Sequence, residues 1–263
     1  MTAARTIADA ARLVGYALRP RVRPARDLTY AELVRRYRAD EEFATTVAAI
    51  TSGLDLVILD ADDRHGLVVA PTGDSVFTVR LSDYSKRTGE SAADRVLHAL
   101  AHLGAAALAF PRPADLANPA YTGRITADGV EAFVREAARR LAEKAAASDE
   151  SADPPSDTPD LEAAWRAFTR RAATPGSGDG RRIASSTSGI VSKALIFLAE
   201  QGMLQRRGDD RGGTYQTTSR YRIHVLEAGN RMFGELLALG ITEVTDGTGT
   251  LAITWTEGDL TPR

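Results

Sequence analysis

The chain has 263 residues, 43% hydrophobic and 26% charged, enough for one large globular domain or two small ones with proper cores. A formal net charge of -2 excludes a uniformly basic nucleic-acid binder, so any cationic footprint must be local. The absence of cysteine excludes disulfides, thiolate chemistry and cysteine-ligated metals and suits a reducing cytoplasm, and no apolar run approaches the roughly 20 residues of a membrane span.

From the N-terminus, Ala10, Leu13, Val14, Ala17 and Leu18 share one face of a helix expected over 3–18, which Pro20 ends. Asp9 interrupts this segment, so it does not read as a secretory signal. The basic, proline-broken run Arg19 to Arg26 reads as a solvated connector, with contact to phosphate or an acidic partner as the alternative. Thr29 and Glu32 form a capping-box pattern for a helix through Arg38. Asp40 caps the next helix, with Phe43, Val47 and Ile50 on one face, and Gly53 ends it. Leu54 to Asp60 reads as a strand, and Leu67 to Pro71 as its return strand. Residues 3–71 thus spell helix, helix, helix, hairpin, the order of a winged helix.

Ser75 to Tyr84 is a further candidate strand. Ser91 to Phe110 is a helix apolar nearly all round, so burial on more than one side or a subunit contact is expected. Thr126 caps a helix reaching about Ala147. Ser148 to Asp160 is acidic and proline-rich and reads as a linker. Leu161, Trp165 and Phe168 then mark a helix, followed by a glycine-rich loop from Thr174 to Gly180.

Next comes the most structured stretch. Ser186 to Gln201 has helical apolar spacing, and Gly202 stands where a helix ends in a left-handed turn. Met203 and Leu204 open a strand, RRGDDRGG reverses the chain, and Thr214 to Val225 alternates as a returning strand does. A helix from His224 to Gly240 and a hairpin turning at Asp246-Gly247 close the chain. The expected fold class is therefore α+β, mainly helical, with tandem winged-helix domains and a helical middle segment. The boundaries are 1–90, 91–147, a linker at 148–160, and 161–263.

Catalytic and metal signatures are weak. His98 and His102 have the spacing of a zinc pair, but no HExxH glutamate and no evident third ligand accompany them. Asp60, Asp62 and Asp63 fail as a calcium loop, because Pro71 stands where the twelfth-position glutamate should be. Gly176 to Arg182 lacks the lysine-hydroxyl pair of a phosphate loop. No catalytic residue, metal or cofactor is assigned.

Charge is the one local signal. Between Leu161 and His224, eleven basic residues face five acidic ones. The candidate DNA contacts are Arg181, Arg182, Ser188, Lys193, Arg206, Arg207, Arg211, Arg220 and Arg222. The helix that would enter a groove offers mainly Ser188, Ser192 and Lys193. It has no Arg, Asn or Gln in its first turns to read base edges, so phosphate contact is favoured over sequence readout.

In architecture the chain resembles the kleisin-interacting tandem winged-helix (KITE) proteins of the MukE-like branch. The stretch Gly189 to Gly240 is similar to the C-terminal winged helix of the B subunit of Wadjet anti-plasmid systems. Arg95 to Leu116 fits the family's buried helix and proline-limited loop. The resemblance implies a non-enzymatic subunit of an SMC complex. Such a subunit dimerises, grips the kleisin that bridges the SMC ATPase heads and helps hold DNA, in the cytoplasm and beside the nucleoid. The dimer contact would fall on the N-terminal unit or on Ser91–Phe110. A dimeric winged-helix transcription regulator is the alternative.

Overall fold

In the computed structural model, which describes residues 3–73, 75–79, 92–147, 187–238, 242–245 and 251–254, the chain is a mainly helical α+β protein with small antiparallel sheets. Its first half is α1 (Ala3–Ala17), α2 (Leu28–Ala39), α3 (Glu41–Gly53) and a hairpin of β1 (Leu56–Asp62) and β2 (Gly66–Pro71). Asp40 caps α3 as expected, its Oδ1 accepting the Phe43 amide at 3.0 Å. The cap of α2 differs. Asp27 Oδ1 accepts the Tyr30 amide at 3.0 Å, so the helix starts before Thr29 and the expected capping box is not used. A carboxylate outcompetes a hydroxyl at the positive end of a helix. The first strand also lies two residues later than expected, leaving a tight turn at Asp63–His65.

The first core gathers Leu13, Val14, Phe43, Val47 and Leu67 around Tyr30. The Tyr30 ring stacks on Tyr16 with centroids 4.6 Å apart, and its hydroxyl accepts the Leu67 amide at 2.9 Å. Gly66 has φ +76°, and a Cβ there would collide with the same hydroxyl. Turn and tyrosine therefore specify each other.

Beyond β2, residues 75–79 form a turn, with the Ser75 hydroxyl donating to the Leu54 carbonyl at 3.0 Å. The strand expected at Ser75–Tyr84 does not begin there, and its remainder lies outside the described residues.

The second half runs α4 (Ala92–Ala109), α5 (Pro113–Ala117), β3 (Arg124–Thr126), α6 (Ala127–Ala147), α7 (Thr187–Glu200), β4 (Leu204–Gly208), β5 (Thr214–Thr217) and α8 (Ser219–Ala238). Thr126 caps α6 as expected, accepting the Gly129 amide at 3.1 Å. It also ends β3, a strand too short to leave a periodic signal. The sheet order is β3-β5-β4, with Ile125 opposite Tyr215. Leu97, Ala101, Val130 and Val134 share one core with Ile190 and Leu195. The helical middle segment and the stretch after residue 187 thus pack as one unit. The linker 148–160, the helix expected at Leu161–Phe168 and the loop Thr174–Gly180 lie outside the described residues. A last hairpin pairs β6 (Thr242–Thr245) with β7 (Leu251–Thr254).

A further expectation is overturned. The strand expected to run to Val225 stops at Thr217, and Ser219 onwards is helix. Thr218 makes the switch: its Oγ1 accepts the Tyr221 amide at 3.3 Å, and its carbonyl accepts the Arg222 amide at 3.3 Å. The apparent alternation comes from burial on two sides of α8. Tyr221 and Val225 pack in the second core, whereas Ile223 is buried outside it, and α8 also contacts β1 and β2.

Two close contacts tie the halves together. Gly202 ends α7 with φ +68°, as expected, and a Cβ there would strike the Pro20 carbonyl. Arg220 Nη2 donates to the Ala17 carbonyl at 3.1 Å. Among the described residues no helix is long and apolar enough to cross a membrane.

Candidate functional site

The helix expected to face a DNA groove is α7, and most of it faces inward. Eight of its fourteen residues are buried, Ser188 among them at 5% exposure. Its outward side carries Ser192, Lys193, Ile196 and Glu200, of which Ser192 and Lys193 are half-buried and Ile196 and Glu200 exposed. A helix wedged this way has little side-chain length left to read bases.

The arginines fall into three groups. Arg181 and Arg182 lie outside the described residues. Arg220 and Arg222 are structural: Arg222 Nη1 donates to the Leu116 carbonyl at 3.0 Å, as Arg220 does to Ala17. Each of these two candidate DNA contacts thus has part of its guanidinium committed to a backbone carbonyl within the fold. Arg206, Arg207 and Arg211 stand exposed on the β4–β5 hairpin. Arg206 pairs with Asp209 at 2.6 Å, an exposed pair worth about 0–1 kcal/mol. Arg207 Nε donates to Gln216 Oε1 at 2.6 Å, which fixes the guanidinium across the hairpin. Arg211 holds φ +50° at the tip, where the following Gly212 and Gly213 are also left-handed.

That hairpin forms one wall of a cleft between the halves, with a volume of about 190 Å³. Arg207 and Arg220 line it from the second half, and Arg23, Arg64 and His65 from the first. Among the described residues no carboxylate lines it. Thr217, Thr218 and Ser219 bring the N-terminus of α8 to its edge, where helical amides favour an anion. His65 lies 3.2 Å from Asp60 Oδ2 but off the line of a good hydrogen bond. Burial lowers its pKa against the raising influence of Asp60 and Asp62, so His65 is neutral at pH 7 and the cleft's charge is guanidinium alone. The sequence reading missed Arg64 and left Arg23 in a solvated connector. Arg23 carried a signal in its basic run. Arg64 had none, because its partners come from the other end of the chain.

The two histidines expected one turn apart both lie on α4. His98 is fully buried, and His102 lies edge-on to Phe197 with centroids 5.9 Å apart. Burial, and then His98, lower the His102 pKa to about 4. Among the described residues, no group of three or more His, Cys, Asp or Glu could hold a metal ion. Set against known protein families, curated proteins and solved structures, the chain finds no match.

Proposed function

We propose that the chain is a non-catalytic accessory subunit of the KITE type in an SMC-type DNA-translocating complex. Each half is read as a winged helix. The first is α1, α2, α3 and the β1–β2 hairpin; the second is α4, β3, α6, α7 and the β4–β5 hairpin. The observation that carries the reading is the pairing of a largely buried α7 with an arginine cleft that no carboxylate lines among the described residues. Such a molecule holds DNA by phosphate and leaves sequence unread. Dimerisation, kleisin binding and a place beside the nucleoid belong to the same proposal. Exposed Leu103 and Leu108 on α4 support a dimer contact there. Defence against plasmids is the proposed setting.

A dimeric winged-helix transcription regulator is the second reading, and the burial of Ser188 weighs against it. The test is reconstitution with the kleisin and SMC ATPase encoded beside this protein, alongside DNA titrations at several salt concentrations. A stable complex is expected, with DNA affinity indifferent to sequence. Glutamate at Arg23, Arg64 and Arg207 together should weaken DNA binding and flatten its salt dependence. Tight binding to one operator by a lone dimer, with no kleisin complex, would sink the proposal.

A further inference from the structure

A second cleft between the halves is apolar and larger, about 460 Å³, within the usual range of small-ligand pockets. Leu56, Val69 and Pro71 of the first half form one wall, and Leu198 and Met203 of the second half form the other. Phe77, Val79 and Phe197 also line it, and Phe77 and Val79 are 38% and 51% exposed, so the cleft leaves large apolar side chains in water. The titratable groups among its described lining residues, Arg220 and His224, sit one turn apart on α8.

These two groups carry the inference. Arg220 Nε and His224 Nε2 are both buried without a hydrogen-bond partner among the described residues. Arg220 is a largely buried cation whose hydrogen bond is to a neutral carbonyl, and no carboxylate pairs with it among the described residues. A buried guanidinium without a counter-charge is costly, and an anion placed against it removes that cost. His224 adds no charge at neutral pH, because burial and then Arg220 hold its pKa down to about 4. The cleft thus has one cationic end and apolar walls.

We propose that this cleft binds a small amphipathic monocarboxylic acid. Its carboxylate sits on the Arg220 guanidinium beside the His224 imidazole, and its apolar body lies between Phe77 and Val79 on one side and Phe197 and Met203 on the other. Such a ligand touches both halves and stabilises their junction.

Decanoate is the probe, with decanol as the neutral control, on the full chain. With four histidines in the sequence, the His224 ring signals can be assigned in an NMR spectrum by comparison with His224→Asn. Decanoate should shift those signals saturably and raise the melting temperature, whereas decanol should do neither. Arg220→Gln should weaken binding about tenfold or more. Because Arg220 also holds the Ala17 carbonyl, Val79→Asp is the second variant. It places a negative charge at the exposed rim and should weaken decanoate similarly in a fully folded protein. His224 signals unmoved by decanoate, an equal response to decanol, or undiminished binding in Val79→Asp overturns the proposal. Arg220 lines both clefts, whereas Val79 lines only the apolar one, so the Val79→Asp result separates this proposal from the reading of the arginine cleft.

Discussion

In the first half, the link that closes the core joins Tyr30 to Leu67, 37 residues apart, and the sheet pairs strands adjacent in sequence. In the second half, the Gly123 amide donates to Thr217 Oγ1 across 94 residues, and β3 pairs with β5 across the intervening α6 and α7. The order of elements is similar, but the loop-closure cost is not. The first half can close from local contacts, whereas the second depends on long-range pairing that β3 alone does too little to specify. Gly202, Pro20, Ala17 and Arg220 then tie the two together.

The sharpest way to break this comparison is to remove the hub of the first core. Tyr30→Ala should cost about 3–5 kcal/mol, from the lost aromatic burial and the orphaned Leu67 amide. Leu195→Ala, fully buried in the second core, should cost about 2–5 kcal/mol. Urea unfolding followed by far-UV circular dichroism distinguishes two outcomes. One shared transition that moves in both variants means the halves are coupled; two transitions, each moved by one variant, mean they are not.

Next in size is the junction. Gly202→Ala forces a side chain into φ +68° and against the Pro20 carbonyl, and should cost about 1–3 kcal/mol. The expected result is a broadened or split unfolding transition with both cores retained. A variant as stable and cooperative as the wild type would show that this contact does not couple the halves.

What could be read in the sequence tracks the same contrast. Asp40, Phe43, Val47 and Gly53 announce α3 because cap, stripe and stop all lie within one helix. Gly202 was legible because a helix end needs a left-handed residue and glycine supplies it. The Ser219–Val225 segment was misread because burial on two sides of α8 imitates the alternation of a strand, and Thr218 looks the same in a strand as at a cap. The arginine cleft was half legible. Its hairpin arginines stood out as charge, but Arg23 and Arg64 join them only through docking of the halves. Arg220 and Arg222 look like surface cations in sequence; only tertiary contacts reveal that they bind the carbonyls of Ala17 and Leu116.

Acid should loosen the halves in a fixed order. His102 and His224, in the second half and at the junction, have folded pKa values of about 4, below the ordinary value of 6.5. The unfolded chain therefore binds more protons between these values. Their contribution is fully present above pH 6.5 and is lost as pH falls towards 4. In the first half burial also lowers the His65 pKa, but Asp60 and Asp62 oppose that shift. The cap hydrogen bonds that lower Asp27 and Asp40 are lost only as pH falls below the ordinary carboxylate value of 3.8, so less of the first half's stability goes before the second half's. Hydrogen exchange read at peptides of α7 and α3 should show α7 opening first. Simultaneous opening would place the acid sensitivity elsewhere.

The smallest expected effects come from the helix caps, and they test coupling most gently. Asp40→Ala removes the acceptor for the Phe43 amide in the first half, and Thr126→Ala removes the acceptor for the Gly129 amide in the second. Each should cost about 1 kcal/mol, since a cap satisfies one of the otherwise orphaned amides of a helix start. Neither touches the junction or a core side chain, so the double variant should lose the sum of the two if the halves unfold together. If they unfold separately, each substitution lowers one transition and leaves the other in place. Thr126 offers a further distinction because it also pairs with Thr214 at the end of β3. Thr126→Ser keeps the hydroxyl, so it should restore most of the lost stability if capping is the cause. Should it fail to do so, the loss lies in β3, the strand whose distant partner sets the second half apart.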